Sequence, residues 1–218
     1  MKGDKIVIEE HHRKAASLIA PKIVDAVTRK PTRYTITVAG ESGSGKSEAG
    51  QAIADELEKE GITCLLLGQD DYFIHPPKTN DATRRKDPDW LGPMEVNLDL
   101  LNEHLKSAIQ GANELTKPLM DYDADTCGEE TVSLEGVKVV IAEGTYTSLL
   151  KHVDTRVFIA RNRLDTLEHR QKRNRGGEAF DPFVEEVLKT EHKIIMGHKH
   201  LADFVITKEY DVIAVEFM

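Results

Sequence analysis

The stretch VAGESGSGKSEAG, Val38 to Gly50, places three glycines within the eight residues Gly40 to Ser47 and then runs directly into a helix-like segment. Gly40-x-x-x-x-Gly45-Lys46-Ser47 has the spacing of a phosphate-binding loop. Glycines let the backbone through Gly40, Glu41, Ser42, Gly43, Ser44 and Gly45 curl, so that its N–H groups point at phosphate oxygens. Lys46 then reaches the β and γ phosphates, and the Ser47 hydroxyl can ligate Mg²⁺. A flexible spacer has no physical reason to set Lys-Ser at a helix start after a buried strand.

The flanks supply that context. RYTITVAG reads as a β-rich strand, KSEAGQAIADELEKEG as a helix stopped by Gly61, and ITCLLLG as a second strand whose unbroken apolarity predicts burial on both faces. Further on, NLDLLNEHLKSAIQG carries a leucine stripe, VKVVIAEG and TRVFIA are buried strands, and Asp181-Pro182 opens another helix. DFVIT and DVIAVEF close the chain as short strands. Strands alternating with helices predict an α/β fold, a three-layer P-loop NTPase arrangement with a mostly parallel sheet of about five strands. The expected organisation is one domain over 1–218, with a helical extension at 1–33 and a helical lid at about 164–180. Pro21 is expected to kink or restart the first helix, EEHH to be a solvated face, and 72–93 to be a long loop, functional or disordered.

The 218 residues suffice for one sizeable core, and a net charge of −9 argues against a general nucleic-acid or membrane-surface binder. Two cysteines, Cys64 and Cys127, make no disulfide framework, and no stretch resembles a leader or a membrane span. The expectation is a soluble, cytoplasmic chain with no nucleic-acid and no membrane partner. A homo-oligomer is left open.

A phosphate loop serves kinases, GTPases and motors alike, so other residues must choose among them. DTCG (Asp125 to Gly128) and NRLD (Asn162 to Asp165) approach GTPase spacings, but the first precedes a strand rather than following one and the second has Arg163 in place of lysine. Asp70 and Asp71 come directly after the second strand, at the sheet edge where ligands of such folds sit. A carboxylate there can take the proton of an acceptor hydroxyl as it attacks the γ-phosphate, and one of the pair is expected to face the site. Glu143 ends the third buried strand, where Mg²⁺ or its waters need an acidic neighbour. The basic run His169, Arg170, Lys172, Arg173, Arg175, followed by Gly176-Gly177, reads as a lid that neutralises the transferring group.

With these residues in place, the chain resembles the uridine kinase and phosphoribulokinase family over roughly Tyr34 to Ile206. GESGSGKS and QDDYF match its nucleotide loop and catalytic segment, and GPMEVNLDLL, KPLMDYDADT, VVIAEG, HRQKRNRG and HKHLADFVI follow in its order. The resemblance implies an enzyme that uses ATP or GTP with Mg²⁺ to phosphorylate a small acceptor such as uridine or cytidine. It implies Asp70 as general base, Lys46 and Arg170 as further catalytic groups, Arg170 and Arg173 at the nucleotide, and Ser47, Glu143 and Asp70 around the metal. Tyr72, Tyr122, Asp123 and Arg175 are implied at the acceptor. The acceptor half departs from the family: where uridine kinases typically carry Phe-Asp-His-Pro, with the aspartate on ribose hydroxyls, this chain has Trp90-Leu91-Gly92-Pro93. Nicotinamide riboside, sugar phosphates and pantothenate-like alcohols therefore stand as other acceptors, and a regulatory ATPase or GTPase as a different class.

Overall fold

The computed structural model describes residues 6–167 and 181–215. Its centre is β1 (Tyr34–Gly40), buried along its whole length because parallel neighbours flank it and helices cover both faces. The sheet order is β2-β5-β1-β6-β7-β8, with β2 (Cys64–Gly68), β5 (Val139–Gly144), β6 (Thr155–Ile159), β7 (Phe204–Ile206) and β8 (Val212–Ala214). The first five strands in that order are parallel and β8 pairs antiparallel to β7 at the edge.

Alternation along the strands divides the core. Ile36, Val38, Val139 and Ile141 face α1 (Glu10–Arg29) and α2 (Lys46–Lys59), meeting Ile19, Ile23, Ile53 and Leu57. On the opposite face Val140, Ala142 and Phe158 meet Leu101 and Leu105 of α4 (Leu98–Ile109) and Ile195 of α5 (Pro182–Met196). The result is the three-layer α/β arrangement.

Three local expectations need correction, and one hairpin was not anticipated. α1 runs unbroken through Pro21, because the proline and Ser17, whose carbonyl it deprives of a partner, both lie on the exposed side where water can substitute. The EEHH face is solvated only in part: Glu9 and Glu10 are exposed, but His12 is fully buried, and its Nδ1 accepts from the Glu9 N–H at 3.1 Å in a reciprocal cap. Residues 72–93 hold a helix, α3 (Pro77–Lys86), whose first N–H groups are capped from a distance. Asp125 accepts from the Lys78 N–H at 2.7 Å and the Thr79 hydroxyl at 2.8 Å. Asp125 sits at the tip of an antiparallel hairpin that the sequence did not suggest, β3 (Glu114–Asp121) with β4 (Thr126–Ser133). Among the described residues no helix is long and apolar enough to cross a membrane.

Candidate active site

The loop after β1 turns through Gly43 at φ 76° and Gly45 at φ 90°, left-handed conformations that favour glycine, before α2 begins at Lys46. A Cβ on Gly45 would also come within 2.8 Å of His12 Nε2, so the N-terminal helix packs directly beneath the loop. The Lys46 ammonium donates to the Glu41 carbonyl at 3.1 Å. The Glu41 side chain, expected only as part of the phosphate cradle, has a separate task. It is buried, accepting from the Arg163 N–H at 2.8 Å and lying 2.6 Å from His192 Nδ1 on α5. Thr166 adds a longer bond to the Ser42 carbonyl at 3.4 Å. The loop is thus tied to the segment after β6 and to α5.

The strand register sets the acidic groups. Glu143 lies opposite Gly68 on one side and Val38 on the other, so it stands between the phosphate loop and the turn carrying Asp70. The glycines leave it room: a Cβ on Gly68 would come within 3.1 Å of Glu143 Oε1. Burial pushes the Glu143 carboxyl up to about 7, the Asp70 charge adds to this, and Lys46 and a hydrogen bond from Ser47 oppose it. Gln69 braces the turn, accepting from the Tyr146 N–H at 2.7 Å while its side chain occupies the space a Cβ on Gly144 would need. The two aspartates then diverge. Asp71 turns inward, 2.8 Å from the Lys117 ammonium and accepting from the Met120 N–H at 3.0 Å, whereas Asp70 lines an open cleft of about 190 Å³.

Ser42, Phe73, Tyr122 and Thr145 share that cleft with Asp70, and its far wall comes from α3 and α5. Asn80, Asp81 and Arg84 project from α3; Val184, Val187, Leu188 and Glu191 from α5. Behind them the fully buried Glu95 takes four donors: Arg84 through Nε and Nη2, the latter at 3.0 Å, Asn80 Nδ2 at 2.6 Å and the Gly92 N–H at 2.9 Å. Burial opposes the charge of Arg84, but the bonds to Glu95 and the charges of Glu191 and Glu95 together hold its pKa above the usual value. Trp90 is not among the cleft-lining residues; its Nε1 donates to Asn80 Oδ1 at 2.9 Å and closes the network.

Tyr72, expected at the acceptor, is 1% exposed with its hydroxyl 2.8 Å from His104 Nδ1, so it supports the turn from inside. Asp123 lies in the hairpin turn and offers its backbone carbonyl to Lys78 at 2.7 Å; its carboxylate is not among the cleft-lining groups. Tyr122 alone of that pair reaches the cleft. Arg170, Arg173 and Arg175 lie outside the described residues. Arg84, Glu95 and Glu191 were not singled out from the sequence. Arg84 reads there as one of three consecutive basic residues on a polar helix, and its bond to Glu191 spans 107 positions.

Among the described residues no cluster of three or more His, Cys, Asp or Glu side chains forms a protein-only metal cage. The local chemistry nonetheless suits Mg²⁺. A hydroxyl, a buried carboxylate and a second carboxylate whose charges repel offer hard oxygen ligands, and Mg²⁺ commonly completes its shell with phosphate oxygens and water.

The model of the phosphoribulokinase / uridine kinase family matches residues 35–190. A uridine kinase of Bacillus cereus (strain B4264) is 30% identical over 189 residues, 82% of this chain and 86% of that protein. The bifunctional alpha-galactosidase/sucrose kinase AgaSK of Mediterraneibacter gnavus is 29% identical over 192 residues; the match takes in 83% of this chain but only 20% of that longer protein. Among solved structures, one titled a possible uridine kinase from Bacillus stearothermophilus superposes with a TM-score of 0.64 at 18% identity, over 88% of this chain and 97% of that one. The match over residues 35–190, and the strand-loop-helix geometry at its head, place the chain in the phosphoribulokinase / uridine kinase family of P-loop kinases.

Proposed function

We propose that the chain transfers the γ-phosphoryl group of ATP, with Mg²⁺, to a hydroxyl of a small metabolite, a nucleoside such as uridine or cytidine being the first candidate. The observation that carries this reading is the divergence of the two aspartates: Asp71 is paired inside, and Asp70 faces the cleft beside the Glu143–Ser47 pair. In the reaction the acceptor hydroxyl gives its proton to the Asp70 carboxylate as its oxygen attacks the γ-phosphorus. The new O–P bond forms while the bond from the γ-phosphorus to the bridging oxygen breaks, and ADP leaves with that electron pair. The loop N–H groups and Lys46 cradle the triphosphate. Ser47 and Glu143, with Asp70 nearby, would hold Mg²⁺, which supplies charge neutralisation across the β and γ phosphates. Arg170, Arg173 and Arg175 are assigned to lid closure by the family resemblance.

A free sugar is the second acceptor reading. It is favoured by Leu91 and Gly92, which stand where uridine kinases typically hold ribose, and by the sucrose kinase among the relatives. The test is ADP release from Mg-ATP by the full chain with and without acceptor. Acceptor-dependent release is expected; equal turnover with water alone would assign the chain to regulatory ATPases instead.

A further inference from the structure

The far wall of the cleft has chemistry of its own. Three carboxylates, Asp70, Asp81 and Glu191, line the cleft against one guanidinium, Arg84, and the charge of Arg84 is already matched by the buried Glu95 behind it. Asp81 is itself paired with Arg85 at 2.7 Å, but an acceptor carrying a phosphate or carboxylate would find no unpaired cation among the described residues that line the cleft. Hydrogen-bonding capacity is present, however. Arg84 uses Nε and Nη2 on Glu95, which fixes its plane and leaves Nη1 as a donor. Glu191 accepts only one long bond from Arg84, from Nη2 to Oε1 at 3.4 Å, so its oxygens retain acceptor capacity.

We propose that Arg84 and Glu191, with Arg84 locked by Glu95, are the specificity pair of the acceptor site and select a neutral vicinal diol, the chemistry shared by ribosides and free sugars. One hydroxyl accepts from the guanidinium and its neighbour donates to the carboxylate. Phe73, Val187 and Leu188 supply an apolar wall for the C–H face of a ring. An unpaired polar group also lies behind the pair, outside the cleft lining. The Tyr146 hydroxyl is buried without a hydrogen-bond partner among the described residues, and it lies within electrostatic reach of Arg84, Glu95 and Glu191. Polar groups of this kind are rarely left unpaired except where a ligand or water completes them. Burial also pushes the Glu191 carboxyl up, with Arg84 opposing, so hydroxyl donors would relieve a real cost of its charge.

The inference rests on the phosphotransfer reading above, and its test separates the two. The full chain is assayed for ADP release with Mg-ATP against uridine, cytidine, fructose and sucrose as neutral acceptors, and glycerate and ribulose 5-phosphate as anions. Turnover on at least one neutral acceptor is expected, and nucleosides versus sugars then names the source of the diol. For that acceptor, removing one hydroxyl of the diol raises KM about ten-fold to a hundred-fold. Glu191→Gln and Arg84→Met are expected to raise the acceptor KM by a similar factor while the ATP KM stays within about two-fold. Glu191→Gln carries the test if Arg84→Met does not fold. Preference for an anionic acceptor, or an unchanged acceptor KM in Glu191→Gln, overturns the inference and leaves phosphotransfer standing. ADP release that ignores every acceptor overturns both.

Discussion

The two halves of the proposed site are built differently. The donor half comes from short stretches at strand ends: the Gly40 to Ser47 loop, Asp70 two residues beyond β2, and Glu143 next to last in β5. Parallel register brings them together, since Gly68 and Val38 both pair with Glu143. The acceptor half comes from two helices and a turn, with Arg84, Glu95 and Glu191 joined by side chains rather than by backbone register. A donor site placed by the sheet can lose a side chain and keep its shape. An acceptor wall held by a buried ion pair depends on that pair for shape as well as chemistry.

The contrast is broken or sharpened by substitution. Asp70→Asn should have the largest effect, slowing phosphoryl transfer by about 10²-fold to 10⁴-fold. Its denaturant midpoint should not fall, because Asp70 adds to the charge repulsion on Glu143. Near-normal turnover would remove Asp70 as the base. Glu95→Ala should destabilise the fold by about 3–5 kcal/mol in urea unfolding, since it leaves the Arg84 charge in a largely buried place without its main partner. If that variant lost only activity, the wall would not depend on the pair. Glu41→Ala should cost about 1–3 kcal/mol by leaving the Arg163 N–H and His192 without their carboxylate, with a circular-dichroism melt as the readout.

The smallest effect concerns pH. Between about 4.5 and about 7 the folded chain keeps a proton on Glu143 that the unfolded chain has released. Its contribution to stability is therefore greatest below 4.5 and falls as pH rises through this window. Thermal melts across it should show this decline, Glu143→Gln should flatten it, and Mg-ADP should offset it in the original chain. The same sign predicts tighter Mg²⁺ binding as pH rises through about 7. A pH-independent Mg²⁺ affinity would contradict the placement of Glu143 at the metal.

Legibility in the sequence followed the same division. The parallel sheet was readable because its strands are continuous apolar runs and its loop has fixed spacing. The β3–β4 hairpin was not: β3 alternates in burial over its first four residues, but the inward position at 117 is a lysine and Pro118 follows it, and TCGEETVS on the other strand is largely exposed. α1 could be seen as a helix, but not as the layer beneath Gly45, since two adjacent histidines read as polar until one is found fully buried. Tyr72 was misassigned because QDDYF fixes a turn without saying which side of it faces inward. Arg84 and Glu191 have no motif to announce them: a charged residue on a polar helix looks solvated until the chain brings a carboxylate from 107 positions away.

The central claim is that a phosphoryl group passes directly from ATP to a bound hydroxyl whose proton Asp70 accepts. Its most direct test is a single turnover with γ-labelled ATP, Mg²⁺ and the acceptor that supports ADP release, run beside Asp70→Asn with nucleotide binding measured in both. The expected result is label in the acceptor for the original chain and almost none for Asp70→Asn, with equal ATP affinity. Label appearing only as inorganic phosphate, or passing to the acceptor at the original rate in Asp70→Asn, would contradict the account.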